Sequence, residues 1–301
     1  MFCPRCGKAI VNSIRIVYCV NCGEKIDELI NGGSPVDPDD LPDGSEDLVI
    51  ENDTLVSYTG QGGEVTVPDA VTVVGKGAFS CCNGLSAVTI PPSVEVIDDG
   101  AFEYCINLES ADIPAGVTRI GRKAFNSCTN LTSALIPPTV SSIGAWAFHR
   151  CECLAGVTLP ENLTYIDSSV FCNCTSLMRA ELPDGLLEIG SGAFFCCEGL
   201  TSMKLPESLM KIESWAFRGC TGLTEIVIPK EVTYIGERAF GDCTSLEKVT
   251  LYGGILKIGD AAFADCPALH SVYFHGDEMQ WKKMIIGENA FPKGVTVHFT
   301  R

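Results

Sequence analysis

The chain has 301 residues, of which 46% are apolar, and a formal charge of -17. That much apolar material supports a continuous core and excludes disorder of the whole chain. The acidic balance argues against a nucleic-acid platform, because such a surface repels phosphates. No apolar run reaches the roughly eighteen residues of a membrane span, and the start MFCPRCGK lacks the apolar h-region of a secretory signal. The expectation is a cytoplasmic protein without membrane insertion, with the cell surface as the second choice.

Taken from its start, the chain first shows two paired-cysteine turns, Cys3-Pro-Arg-Cys6-Gly7 and Cys19-Val-Asn-Cys22-Gly23, separated by a β-prone stretch. Two thiolates in a C-x-x-C turn reach one metal, and the glycine after them lets backbone amides turn toward sulfur. Cys3, Cys6, Cys19 and Cys22 therefore read as the ligands of one structural zinc in a ribbon over residues 1–26. So short a module has no other core. Four sulfurs leave no open position for catalysis. Two disulfides or a redox pair are the alternatives. Residues 27–47 are rich in Gly, Pro and Asp and read as an acidic flexible linker; Asp37, Asp39 and Asp40 do not have calcium-loop spacing.

Residues 48–58 read as two short strands turning at Asn52-Asp53, a hairpin that caps the entry to a repeat array. Beyond it a 23-residue unit takes over. Phenylalanine recurs at Phe79, Phe102, Phe125, Phe148, Phe171, Phe194, Phe217, Phe240 and Phe263. Cysteine comes three places after each, and leucine three places after that. Each unit continues with an alternating apolar pair, usually a proline, then V-x-x-I, often glycine, and Ala-Phe. Such a period means stacked units, each burying its apolar face only against its neighbours. The alternation in L-x-x-V-x-I is that of a half-buried strand. Val65, Val67, Pro68, Val71 and Val74 supply a partial first rung. After Phe263 the spacing breaks: the next Ala-Phe, Ala290-Phe291, comes twenty-eight residues later, and residues 295–299 read as a closing strand.

The pattern L-x-x-V-x-I-P-x-x-V-x-x-I-G-x-x-A-F-x-x-C resembles the BspA-like leucine-rich repeats over roughly residues 48–301. The asparagine of the commoner leucine-rich repeat is not kept. The resemblance implies a curved solenoid used for protein binding, with a terminal segment whose short helix seats Trp281 over the last rung, and many relatives are secreted or displayed on surfaces. The fold expected is thus an α/β, β-rich leucine-rich-repeat solenoid with 23-residue rungs and terminal caps: an entry cap and partial rung over 48–78, repeats over 79–270 and an exit cap over 271–301, preceded by the small zinc ribbon.

The nine repeat cysteines, from Cys82 to Cys266, read as a reduced packing ladder, since free cysteine behaves as a small buried hydrophobe. Cys81, Cys153, Cys172 and Cys196 fall outside that column. None of His149, His270, His275 and His298 belongs to a recognisable catalytic motif, so no enzyme is expected. A solenoid normally binds through its strand face. The outward residues there include Asp112, Arg179, Glu181, Lys204, Glu225 and Lys248, the last five clustered on consecutive rungs. Trp146 and Trp215 share one loop position three rungs apart and would mark a hot spot if exposed together. The function expected is a non-enzymatic scaffold for an unidentified protein partner. A nucleic-acid adaptor acting through the ribbon, or an exported adhesin-like protein, are the alternatives.

Overall fold

The structure is a computed structural model, and it describes residues 47–300. The ribbon of residues 1–26, with Cys3, Cys6, Cys19 and Cys22, and all of the linker before Asp47 lie outside the described residues. From Leu48 onward the chain winds into a solenoid made almost wholly of short strands and turns. Among the described residues its single helix, Glu278–Lys283, belongs to the exit cap. The α component of the expected class is therefore confined to six residues. Rungs turn their corners through left-handed residues instead of helices.

Each rung contributes to three columns. The first ladder is built from the L-x-x-V-x-I segments, such as Leu85–Thr89 and Lys248–Tyr252, and the second from the V-x-x-I segments, such as Arg119–Ile120 and Lys211–Ile212. Both pair in parallel with residues one rung apart: Val249 with Val272, Ile189 with Ile212. The third column carries the phenylalanines. Their rings lie fully buried at centroid distances of 5.0 to 5.6 Å, with interplanar angles of 16° or less. Burying each such side chain contributes about 1.5–3 kcal/mol against the entropy of ordering its rung. The backbone reinforces the column: the Phe102 amide donates to the Ala124 carbonyl and the Phe125 amide to Ala147, both at 2.7 Å.

The phenylalanine column runs unbroken, but the strand ladders do not. The first ladder divides into three sheets, with no strand at Ser202–Lys204. The second divides into two, between Ser142–Ile143 and Tyr165–Ile166. Ile143 stays 8% exposed where Ile120, one rung earlier, is completely covered.

The turn geometry is as periodic as the core. Two residues per rung, the second before and the second after each phenylalanine, have positive φ. The first column runs Gly77, Gly100, Lys123, Trp146, Ser169, Gly192, Trp215, Arg238 and Ala261, with φ between 48° and 63°. The second includes Cys81, Tyr104, Ser127, Arg150 and Asn173. Left-handed backbone costs an ordinary residue roughly 1 kcal/mol, so each rung stores some strain that its stacked neighbours hold in place. Close approach explains the glycine after V-x-x-I: a Cβ on Gly144 would stand 2.6 Å from the Arg122 amide nitrogen.

Both caps form. Strands Leu48–Glu51 and Thr54–Tyr58 pair antiparallel around Asn52 and Asp53, both left-handed. The second of them joins the second ladder through Leu55 and Val74, and the Tyr58 ring lies 5.3 Å from Phe79. At the exit, Ile285–Ile286 extends the second ladder, Thr296–Thr300 the first, and Phe291 stacks on Phe263 at 5.2 Å. The extra residues there form the helix, capped by Asp277 and Gln280. It sets Trp281 edge-on to Phe274 at 5.2 Å and to Phe299 at 6.3 Å.

Candidate protein-binding face

Strand alternation decides what the first ladder offers to solvent. Val249 and Leu251 point inward and are fully buried, while Lys248, at the start of the same strand, points out. Asp112, Arg179, Glu181, Lys204, Glu225 and Lys248 are all exposed. Arg179 is ion-paired with Glu181, which also accepts a 2.8 Å bond from the Thr158 hydroxyl one rung earlier. Glu225 stands in register with Lys248, placing opposite charges side by side. Lys204 is exposed too, in the rung that has no strand. Two apolar side chains accompany these charges, Leu135 at 72% and Val227 at 50% exposure.

The most developed relief on this face lies toward the exit cap. Glu247, Lys248, Ala268, His270, Ser271 and Tyr273 line an open cleft of about 350 Å³. Lys248 reaches over the Tyr273 ring, its Nζ 5.2 Å from the centroid, and Tyr273 stacks on His298 at 5.1 Å. Tyr273 falls at the same outward strand position as Asp112 and Glu181, which the repeat spacing alone would reach. His298 was hidden because the spacing changes after Phe263.

The two tryptophans do not belong to this face. Trp146 and Trp215 occupy the left-handed column before the phenylalanines, with Ser169 and Gly192 between them, so they form no pair. Trp146 is half-buried under Arg122, whose guanidinium carbon lies 4.4 Å from the ring centroid, in a groove of about 460 Å³ shared with Arg119 and Asp167. Trp215 is 43% exposed and stands apart from that groove.

The remaining polar features serve the stack. Asn126 is buried, donates to Glu103 at 2.9 Å and accepts from His149 Nδ1 at 2.7 Å. Asn173 then donates to His149 Nε2 at 3.4 Å, which fixes a neutral imidazole. Burial, with the charges of Arg150 and Lys123, holds the His149 pKa below its ordinary value. The thirteen described cysteines are free thiols. Eight of them, from Cys105 to Cys266, aim Sγ at the carbonyl of the phenylalanine in the preceding rung. Among the described residues no helix is long and apolar enough to cross a membrane, and no cluster of three potential metal ligands occurs.

Among known families, the model of the BspA type leucine rich repeat region matches residues 53–178 and 168–294, which together cover most of the chain. The chain belongs to this family. A leucine rich cell surface protein from Faecalibacterium prausnitzii is similar at 29% identity and a TM-score of 0.51, over 74% of this chain and 62% of its own. The chain thus spans less than two thirds of that relative's length. A leucine-rich repeat protein from Bacteroides ovatus is 23% identical over 87% of this chain and 91% of its own, with a TM-score of 0.40. The pneumococcal vaccine antigen PcpA is 18% identical over 97% and 94%, with a TM-score of 0.45. No curated protein matches the sequence.

Proposed function

We propose that this protein is a non-enzymatic scaffold that binds a protein partner on its first-ladder face, with the Lys248–Tyr273 cleft as the anchor. The observation carrying this reading is the contrast within each strand. Inward positions repeat from rung to rung, whereas outward ones change in charge and size, the division of labour expected of a binding solenoid. A tyrosine braced by stacking on His298 offers large contact area at low entropic cost, which suits an interface hot spot. The test is site-specific photocrosslinking in cells from Tyr273 and, as a comparison, from Thr118 on the second ladder. One defined protein captured from Tyr273, and lost with Lys248→Glu, supports the reading. Equal capture from both positions counts against it.

The N-terminal module completes the proposal as a structural zinc ribbon ligated by Cys3, Cys6, Cys19 and Cys22, supported by the C-x-x-C-G spacing alone. Elemental analysis of protein purified under reducing conditions is expected to give about one zinc per chain, lost in Cys3→Ser. No zinc in the unaltered protein would remove the module. Display at the cell surface is the second reading, because the Faecalibacterium relative is described as a cell surface protein. Surface proteolysis of intact cells separates the two compartments, since only a displayed chain is cleaved. The nucleic-acid adaptor has no comparable support.

A further inference from the structure

The second ladder was assigned no role, yet its exit half carries more exposed apolar side chains than the first-ladder face. Tyr165, Leu187, Met210, Leu256 and Ile285 are exposed by 45%, 43%, 48%, 67% and 65%. Tyr165 and Ile285 lie on the unbroken six-stranded sheet that runs from Tyr165–Ile166 to Ile285–Ile286, and Leu187, Met210 and Leu256 come immediately before its strands Glu188–Ile189, Lys211–Ile212 and Lys257–Ile258. In the entrance half of the same ladder the matching positions hold Thr72, Glu95, Thr118 and Ser141 in one column and Val73, Val96, Arg119 and Ser142 in the other, both valines half-buried. Scattered apolar residues need no explanation, but exposed ones gathered along one half of a ladder do.

Register orders these residues into two columns. One is Leu187, Met210, Thr233 and Leu256, each amide after the first donating to the carbonyl before it at 2.9 Å. The other is Tyr165, Glu188, Lys211, Tyr234, Lys257 and Ile285, aligned across the sheet. With neighbouring strands about 4.8 Å apart, the stripe is about 24 Å long.

We propose that this face self-associates: a second copy of the chain packs on it about a two-fold axis parallel to the strands, between Lys211 and Tyr234. That operation reverses the rung order and keeps each column facing itself. Glu188 then meets the partner's Lys257, Lys211 meets the partner's Tyr234, Leu187 meets the partner's Leu256, and Tyr165 meets the partner's Ile285. Every charge faces an opposite charge or an aromatic ring, and the apolar ends of the stripe cover each other. The other two-fold, along the stack, sets Glu188 and Lys211 against apolar neighbours and is disfavoured by desolvation. An isologous contact requires such self-complementarity, and Glu188 and Lys257, opposite in sign and equally far from one point, provide it. A stripe this narrow buries less than the roughly 800 Å² per partner of a standard interface, so the dimer is concentration-dependent.

The experiment is sedimentation velocity on the full chain under reducing conditions from micromolar to millimolar concentration. The unaltered protein is expected to shift from monomer to dimer. Glu188→Lys or Lys257→Glu alone sets like charges together twice across the axis and should weaken dimerisation at least about tenfold. The double variant Glu188→Lys with Lys257→Glu should restore it. Leu256→Asp, on a side chain so exposed that the monomer tolerates it, should weaken it as well, with an unchanged melting temperature. A monomer at all concentrations, or a dimer indifferent to these substitutions, overturns the proposal. Tyr273 crosslinking reads the first ladder alone and is unaffected by either result.

Discussion

The thiol of Cys128 donates a 3.1 Å hydrogen bond to the carbonyl oxygen of Phe102, the phenylalanine of the preceding rung. The relationship repeats up to Cys266 and Phe240, also at 3.1 Å. The cysteine column therefore fills space and stitches rungs together through weak bonds. Cys82, whose preceding rung is the cap, is only half-buried.

Removing one such thiol leaves a small cavity and one stitch fewer. Cys174→Ala, at a fully buried site bonded to the Phe148 carbonyl, is expected to destabilise the solenoid by about 1–2 kcal/mol. The shift of the urea midpoint measures it. Cys153→Ala, at an exposed position, should leave the midpoint unchanged.

Alkali should act through the same column. Burial raises the thiols of Cys105, Cys128, Cys151, Cys174, Cys197 and Cys220 above the ordinary value of 9.0, Cys128 to about 12. A raised pKa favours folding while the thiol stays protonated. This contribution is complete below pH 9 and is lost as pH climbs from there toward 12. Each thiol removes up to about 1.4 kcal/mol per pH unit in that window. Ultraviolet thiolate absorbance from these six residues should thus appear only together with unfolding. More than eleven thiolates near pH 9 in folded protein would contradict it, since eleven of the seventeen cysteines lie outside these six.

The left-handed columns make an opposite kind of change favourable. Ala261 has a φ of 53°, where glycine carries no steric penalty. Ala261→Gly is expected to stabilise by about 0.5 kcal/mol, net of the added freedom of the unfolded chain. Ala262→Gly, next to it but fully buried, should destabilise. Thermal melts of the pair decide this, because their unfolded-chain entropy costs match while Ala262 also loses a buried methyl and has no positive φ to relieve.

At the glycine after V-x-x-I the steric limit is backbone, which cannot step aside. A Cβ on Gly236 would lie 2.3 Å from the Ser214 amide nitrogen and 2.6 Å from the Glu213 carbonyl carbon. Gly236→Ala should cost about 2–3 kcal/mol by forcing two rungs apart. The loss should appear in the urea midpoint as well as in hydrogen exchange at Ile212 and Ile235, which flank the contact.

Much of this molecule could be read from residues alone. Phe79 through Phe263 set the rung, the V-x-I and V-x-x-I segments set the two ladders, and the longer interval before Phe291 announced the exit cap. The left-handed columns were hidden because glycine holds only Gly77, Gly100 and Gly192 of the first and Gly219 of the second. Bulky residues such as Trp146 and Tyr104 take the same geometry under pressure from the stack. The break beside Ile143 was equally hidden, since its rung keeps the consensus and differs only in how well the neighbours meet. On the binding face, Glu225 and Lys248 emerged as neighbours from register, whereas the Tyr273–His298 stack depended on where the cap strand lands. The apolar stripe escaped notice because its members, Leu187, Met210 and Leu256, occupy variable positions that no motif marks.

The even spacing of the rings from Phe79 to Phe263 has a consequence for how such a chain can change. Every rung presents to the next the same ring, thiol and amide that it receives from the one before, so no rung is irreplaceable to its neighbours. Unequal crossing-over within the coding sequence can therefore delete or duplicate a whole unit and leave a seam the fold does not notice. Length becomes an adjustable trait, limited only by the two ends, which must each still find a phenylalanine to cover.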